Sequence, residues 1–160
     1  MNKKSIVIKG PLLTQSGYGV HCRQIFSWLS SKEEFDVKCI ITPWGVCSWI
    51  LNDSQEIIKD IMSKTINEDK SHNFDISFQV QLPNEWNPFL AKKNIGITAA
   101  VETDRCNPKW IEHCNNMDHI IVPSNFTKKV LTDTGLSESK VSVVNETYPE
   151  IFDKSPKKKT

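Results

Sequence analysis

Two glycines one residue apart, Gly17 and Gly19, lie in the stretch GPLLTQSGYG that runs from Gly10 to Gly19. The apolar run SIVIK precedes it, and VHCRQIFSWLSSK follows with apolar residues at helical spacing. A strand that leads through a glycine-bearing loop into a helix can hold a phosphate, because the first helical N–H groups and the positive end of the helix dipole face the loop. Glycine also lets the backbone bend where a side chain would block a ligand. The same residues fit a plain turn, and spacing alone leaves both readings open. A dinucleotide fingerprint requires G-x-G-x-x-G or -A and an acidic residue about 20 residues later. Cys22 stands in the third small-residue place, and the next apolar run ends in Thr42-Pro43-Trp44, so both features argue against a nicotinamide dinucleotide. No Gly-Lys-Ser/Thr occurs, which excludes a P-loop.

A second cluster is VETDR, Val101 to Arg105. Glu102 could accept hydrogen bonds from hydroxyls, act as a base or orient Arg105. Equally, acids just ahead of Asn107 would favour a helix dipole beginning there. His21 falls in the first turn after the glycine loop, within reach of a ligand or simply solvated. Cys106, His113, Cys114 and His119 match no ribbon or finger spacing, so no metal site is expected. No Gly-x-Ser-x-Gly elbow is present. Trp44, Trp49, Trp86 and Trp110 fall in or beside loops, where they could stack on sugar rings or anchor the loops.

The elements that must position these residues follow from periodicity. Ser5–Lys9 reads as a strand. Tyr18, Cys22, Ile25, Phe26 and Leu29 form the stripe of a core-facing helix. Val37–Ile41 is a nearly continuous apolar strand, ended by Pro43 and Gly45. Asp53 or Ser54 can cap a helix through Ile57, Ile58, Ile61 and Met62. FDISFQV and KNIGITAA read as strands, with Gly96 allowing close backbone approach. Asn107-Pro108 starts a helix. HIIVP is a strand, Ser124 caps NFTKKVLTDT with Phe126, Val130 and Leu131 inward, Gly135 stops it, and KVSVVNETY is the last strand. Strands alternating with helices predict an α/β doubly wound, mostly parallel Rossmann-like sheet with helices on both faces. Ligands of such sheets sit beyond the carboxyl ends of the strands, which makes the Gly17 loop, TPWG, VETDR and PSN the candidate walls.

At 160 residues, with 38% hydrophobic and 24% charged residues and a net charge of +1, the chain is expected to be one soluble domain with no call on nucleic acid. No apolar stretch approaches the ~20 residues of a membrane helix, so no transmembrane segment is expected. The first apolar run is too short for a signal-peptide core. Five cysteines without a CxxC pair fit free thiols in a reducing, cytoplasmic setting.

Together these stretches resemble the N-terminal domain of retaining GT-B glycosyltransferases of the family-four group. GPLLTQSGYGVHCRQIF resembles the family's first loop and helix, with its pattern SGYG…H.R. GITAAVETDRCNPKWIEHCNNMDHIIVPSNFTKKVL resembles the stretch in which a Glu-Thr-Asp-Arg-like segment precedes P.W, a strand and VPS.F. VSVVNETYPEIF matches the strand before a Gly-Val-Asp type turn, with Glu146-Thr147 standing where that family has Gly-Val. The resemblance covers nearly the whole chain.

It implies transfer of a sugar from a nucleotide-diphosphate-sugar co-substrate to a glycan or other hydroxyl acceptor, with retention and without an essential metal or other cofactor. Gly17, Tyr18 and Gly19 would approach the donor phosphate or sugar. Glu102 and Asp104 would be the catalytic candidates, and His21, Thr103, Arg105, Ser124 and Asn125 would line the acceptor side. It also implies a domain over residues 1–152 and a Lys-rich tail or linker start over 153–160. The donor-binding C-terminal GT-B domain would then be a partner in cis or in trans. A lone half should transfer no sugar at a useful rate, since the leaving diphosphate needs positive charge placed in advance. It would also expose the cleft face, favouring self-association. Two alternatives remain: a non-catalytic glycan- or protein-binding module derived from such a domain, and a small self-standing Rossmann enzyme using another nucleotide.

Overall fold

The computed structural model describes residues 3–52, 55–68, 73–100 and 103–148. Ten main elements follow in the order read from the sequence: β1 Lys4–Gly10, α1 Gly17–Ser30, β2 Phe35–Ile41, α2 Glu56–Ser63, β3 Phe74–Val80, β4 Ala91–Ile97, α3 Pro108–Asn116, β5 His119–Val122, α4 Asn125–Asp133 and β6 Val141–Val143. The strands form one six-stranded sheet in the order β2-β1-β3-β4-β5-β6. Every pairing is parallel. The chain moves from β1 to β2 in one direction and from β3 onwards in the other, so the strand order reverses beside β1. That reversal leaves a crevice at the carboxyl ends of β1 and β3.

The register sorts residues by face. Ile6, Ile8, Val37, Cys39, Val80 and Ile97 lie in one apolar cluster with Cys22, Phe26 and Leu29 of α1 and Ile58 and Ile61 of α2. On the opposite face, Lys9 is aligned with Gln79, Gln79 with Gly96, and Gly96 with Ile120. Over β5 and β6 that face is apolar: Ile120, Val122 and Val141 pack with Ile111 and Cys114 of α3 and Val130 and Leu131 of α4. Helices therefore cover both faces, as expected.

The centre of the second face is built differently. No α-helix joins β3 to β4. The connection contains a 3-10 turn at Pro83–Glu85 and then Trp86, which lies flat on Gly96. A Cβ at position 96 would come within 2.6 Å of the indole, so Gly96 does permit a close approach, by a side chain rather than by backbone. The Trp86 indole N–H donates to the carbonyl of Gln79 at 3.0 Å. Beneath this connection the strands present Ser77, Gln79 and Asn94, all buried. Gln79 Nε2 donates to Ser77 Oγ (3.0 Å) and to the Asn87 carbonyl (2.7 Å), and Gln79 Oε1 accepts from the Asn87 N–H (2.7 Å). Ser77 Oγ donates to Asn94 Oδ1 at 2.8 Å, and Asn94 Nδ2 donates to the carbonyls of Pro88 and Ala91. The buried Lys9 ammonium pairs with Glu68 at 2.8 Å.

Local chemistry sets the helix ends. The Asn107 side chain accepts from the Lys109 N–H, with Pro108 at the first helical position. Ser124 accepts from the Thr127 N–H, and Gly135, at φ +118°, follows α4. Asp53 and Ser54 lie outside the described residues. The residue directly before α2 is Gln55, which makes no side-chain cap bond.

Two expectations are corrected. Phe126 does not face inward: it is 52% exposed, in the first turn of α4. Thr127 takes the inward place and, with Val130 and Leu131, defines the buried stripe; its hydroxyl donates to the Ala99 carbonyl. The last strand is also shorter than expected. It stops at Val143, and after Val144 donates to the Val122 carbonyl, the 145–148 segment turns to α1, where Gln24 Nε2 donates to the Thr147 carbonyl.

The sheet's flank at β2 is covered by the chain leaving α2. Cys39 N–H donates to the Lys64 carbonyl (2.9 Å) and its carbonyl accepts from Ile66 (2.8 Å), with a parallel bridge from Cys39 to Thr65.

Candidate functional site

The loop between β1 and α1 is tightly folded. Ser16 is the N-cap of α1 and its hydroxyl accepts from the Gly19 N–H at 2.9 Å. Thr14 Oγ1 donates to the Pro11 carbonyl and lies 2.7 Å from Ser16 Oγ. The Arg23 guanidinium, in the second turn of the helix, donates to the carbonyls of Leu12 (2.8 Å) and Thr14 (2.9 Å). A Cβ on Gly19 would lie 2.3 Å from the Thr14 carbonyl oxygen, so only glycine lets the loop close onto the helix here. Gly17 differs: a Cβ there would meet nothing within 4 Å. The N–H groups of Gly17 and Tyr18 belong to the first helical turn and have no acceptor within the helix. The open part is thus the helix start at Gly17, and Gly19 is a packing residue with its amide already bonded.

Gly17, Tyr18 and His21 line a pocket of about 160 Å³ with Val80, Ile97, Thr98, Ala99, Pro123 and Glu146. It lies at the carboxyl ends of β3, β4 and β5, against the first turn of α1, in the crevice that the strand order creates. The Tyr18 ring stacks on Trp44, with centroids 4.0 Å apart and planes 19° apart. The Tyr18 hydroxyl sits 3.0 Å from Thr98 Oγ1 and accepts from the N–H groups of Ala99 (3.0 Å) and Ala100 (3.3 Å).

His21 Nδ1 lies 3.5 Å from Glu146 Oε1 but without hydrogen-bond geometry, and it is otherwise unpartnered among the described residues. Burial pushes the His21 pKa down, and the Glu146 carboxylate offsets this only in part. The imidazole is therefore held mostly neutral near pH 7, able to donate or accept one hydrogen bond, beside a carboxylate.

The structure brings together Gly17, Tyr18 and His21. Among the described residues, Ser124, Asn125, Thr103, Asp104 and Arg105 do not line this pocket. Ser124 and Asn125 begin α4, one and two residues past the pocket-lining Pro123, and the Ser124 hydroxyl is engaged as a cap. Thr103, Asp104 and Arg105 are exposed, with Thr103 Oγ1 donating to the Arg105 carbonyl at 2.9 Å. Glu102 lies outside the described residues. Reading the sequence missed Thr98, Ala99 and Glu146 as pocket walls, whereas Pro123 belongs to the PSN segment that it named. Thr98 carried a signal, a lone hydroxyl at the end of an apolar strand. Glu146 carried another, an acid where a Gly-Val turn would be expected.

Among the described residues, no helix is long and apolar enough to cross a membrane. Val20, Val46, Trp49 and Phe126 are exposed on the loops and first helical turns at the same edge as the pocket.

No protein-family model and no curated protein matches the sequence. Among solved structures, the crystal structure of UDP-N-acetylglucosamine 2-epimerase is similar at a TM-score of 0.52 and 10% identity, over 91% of this chain and 49% of that one. The chain thus spans about half the length of that neighbour. At this identity the shared property is the fold, a parallel α/β sheet of Rossmann type.

Proposed function

We propose that the chain is the acceptor-side half of a retaining glycosyltransferase. It would present the start of α1 to a nucleotide-diphosphate sugar and depend on a donor-binding domain for turnover. The observation that carries this reading is the unobstructed helix start at Gly17, placed in the crevice where the strand order reverses. Two N–H groups and the positive helix end there suit a phosphate oxygen. Two further features support it. The structural neighbour of twice the length is named for a nucleotide sugar. The exposed apolar side chains at the pocket edge suit cover by a second domain. Asp104 and Glu102 remain the catalytic candidates on the acceptor wall, with Thr103 and Arg105 beside them.

One feature favours the alternative, a non-catalytic glycan-binding module. The Glu146 carboxylate lines the pocket, where it would repel a phosphate and accept hydrogen bonds from sugar hydroxyls. Amide NMR titration of the chain with UDP, with UDP- and GDP-linked sugars and with free oligosaccharides separates the two readings. Nucleotide-induced shifts centred on Gly17 and Tyr18, without turnover, are the expected outcome. Shifts induced only by free glycans would favour the module. Turnover by this chain alone, comparable to that of two-domain enzymes, would refute the incomplete-half reading.

A further inference from the structure

We propose that the Tyr18 side chain is a positioning group and not a ligand contact: its hydroxyl holds a left-handed turn at Ala100, the last described residue before the segment that resumes at Thr103–Arg105. The proposal rests on the reading of that segment as a wall of the cleft.

Ala100 has φ +54°, a conformation that a residue with a Cβ adopts only when its surroundings compel it. The compelling group is in view. A tyrosine hydroxyl has one hydrogen and two lone pairs. The Ala99 and Ala100 N–H groups take both lone pairs, so its hydrogen goes to Thr98 Oγ1. Thr98 Oγ1 also accepts from the Ala100 N–H at 3.1 Å, which makes the turn a closed set of bonds. Nothing is left on the hydroxyl for a ligand. One face of the ring is likewise occupied by Trp44. The loop bearing Trp44 is in turn tied to the glycine loop, with Gln15 N–H donating to the Ser48 carbonyl (2.8 Å) and Ile50 N–H to the Leu13 carbonyl (2.7 Å). Tyr18 is therefore the joint through which the loops after β1, β2 and β4 share one arrangement.

Tyr18→Phe keeps the ring and removes the three hydroxyl bonds. Amide exchange followed by NMR should accelerate about ten-fold or more at Ala99 and Ala100, with little change at Ile6 and Ile8, because the opening is local. The Thr103–Arg105 amide shifts should move as well. Adding Ala100→Gly, which tolerates positive φ, should return those shifts toward the original positions. Unchanged exchange at Ala99 and Ala100, or a uniform rise that includes Ile6 and Ile8, would overturn the assignment. Should Tyr18→Phe fail to fold, Ala100→Gly alone decides: equal or slower exchange at Ala99 supports the proposal and faster exchange overturns it. A UDP titration completes the test. In Tyr18→Phe, the UDP-induced shifts at Gly17 should persist, since the side chain makes no ligand contact; their loss would count against the proposal. If the unaltered chain does not respond to UDP, the functional reading fails, and the exchange data still decide the role of Tyr18.

Discussion

The two faces of the central strands are held down in opposite ways. Under α1 and α2, the face that carries Ile6, Ile8 and Val80 is a dry cluster of aliphatic and aromatic side chains. On the other face of the same strands Lys9, Ser77, Gln79 and Asn94 are buried: Gln79 and Asn94 bond the backbone of the loop above, Ser77 links the two, and Lys9 pairs with the Glu68 carboxylate. A helix covers its own polar backbone and needs only an apolar surface below it. A loop arrives with unpaired N–H and carbonyl groups, so the strands beneath must supply partners. The amide side chains of Gln79 and Asn94 do this from inside the sheet.

The contrast can be broken most forcefully on the apolar face. Phe26 is 1% exposed, and Phe26→Ala should cost about 3–5 kcal/mol in urea unfolding, through lost transfer energy and the cavity left behind. A cost below about 1.5 kcal/mol would mean that this face is not close-packed. On the polar face, Gln79→Ala should cost about 2–3 kcal/mol, because it strands the Asn87 N–H and carbonyl without a partner. It should also shift the emission of Trp86, whose indole rests beside the network. A neutral result would show that water repairs the network.

A milder effect, about 1–2 kcal/mol, is expected for Glu68→Gln, which leaves the Lys9 ammonium buried without its counter-charge while Glu68 itself stays in touch with solvent. Burial acts to raise the Glu68 pKa, but the hydrogen bonds from Lys9 and Asn87 outweigh it and hold the carboxyl below its ordinary value. Its contribution is thus present above the unfolded carboxylate pKa and lost as pH falls through the lowered folded one. Urea unfolding across the acid range should show a shallower loss of stability in Glu68→Gln than in the parent. The smallest perturbation is a chemical probe. Burial pushes the Cys22 thiol well up, and pushes Cys39 and Cys114 up to about 12. Cys106 is buried too, leaving Cys47 partly exposed. A thiol reagent should label Cys47 rapidly and the other four only on unfolding. Fast labelling of Cys39 or Cys114 would point to opening of the first or the second face respectively.

The apolar face could be read from the sequence because periodicity encodes it. Tyr18, Cys22, Ile25, Phe26 and Leu29 recur at helical spacing, and Asn107, Ser124 and Gly135 punctuate helices by local chemistry. Phe126 runs against its hydrophobicity, because in the first turn of α4 Thr127 occupies the inward direction and bonds Ala99. The polar face was hidden for a related reason. Ser77 and Gln79 alternate with apolar residues as a solvent-facing row would, and only the return of a loop over them turns that row into an interior. The candidate site was legible in part. Gly17 and His21 follow from the strand–loop–helix order. The partners of the Tyr18 hydroxyl lie some 80 residues away, beyond any local pattern. The residue order marks Glu146 only as an acid in place of a Gly-Val turn; that its carboxylate lines the pocket follows from the chain leaving β6 at Val143, which the alternation of the last strand does not show.

The chain that leaves α2 and bonds both backbone groups of Cys39 has a consequence for how the molecule behaves in a crowd. Parallel sheets grow by recruiting foreign strands onto unpaired margins. Here one margin is already occupied by the protein's own Lys64–Ile66 backbone, and the other is a strand of three residues, too brief to template much. Ile66→Pro, which removes the N–H that bonds the Cys39 carbonyl, should leave the pocket intact and speed fibrous association, followed by light scattering and thioflavin fluorescence.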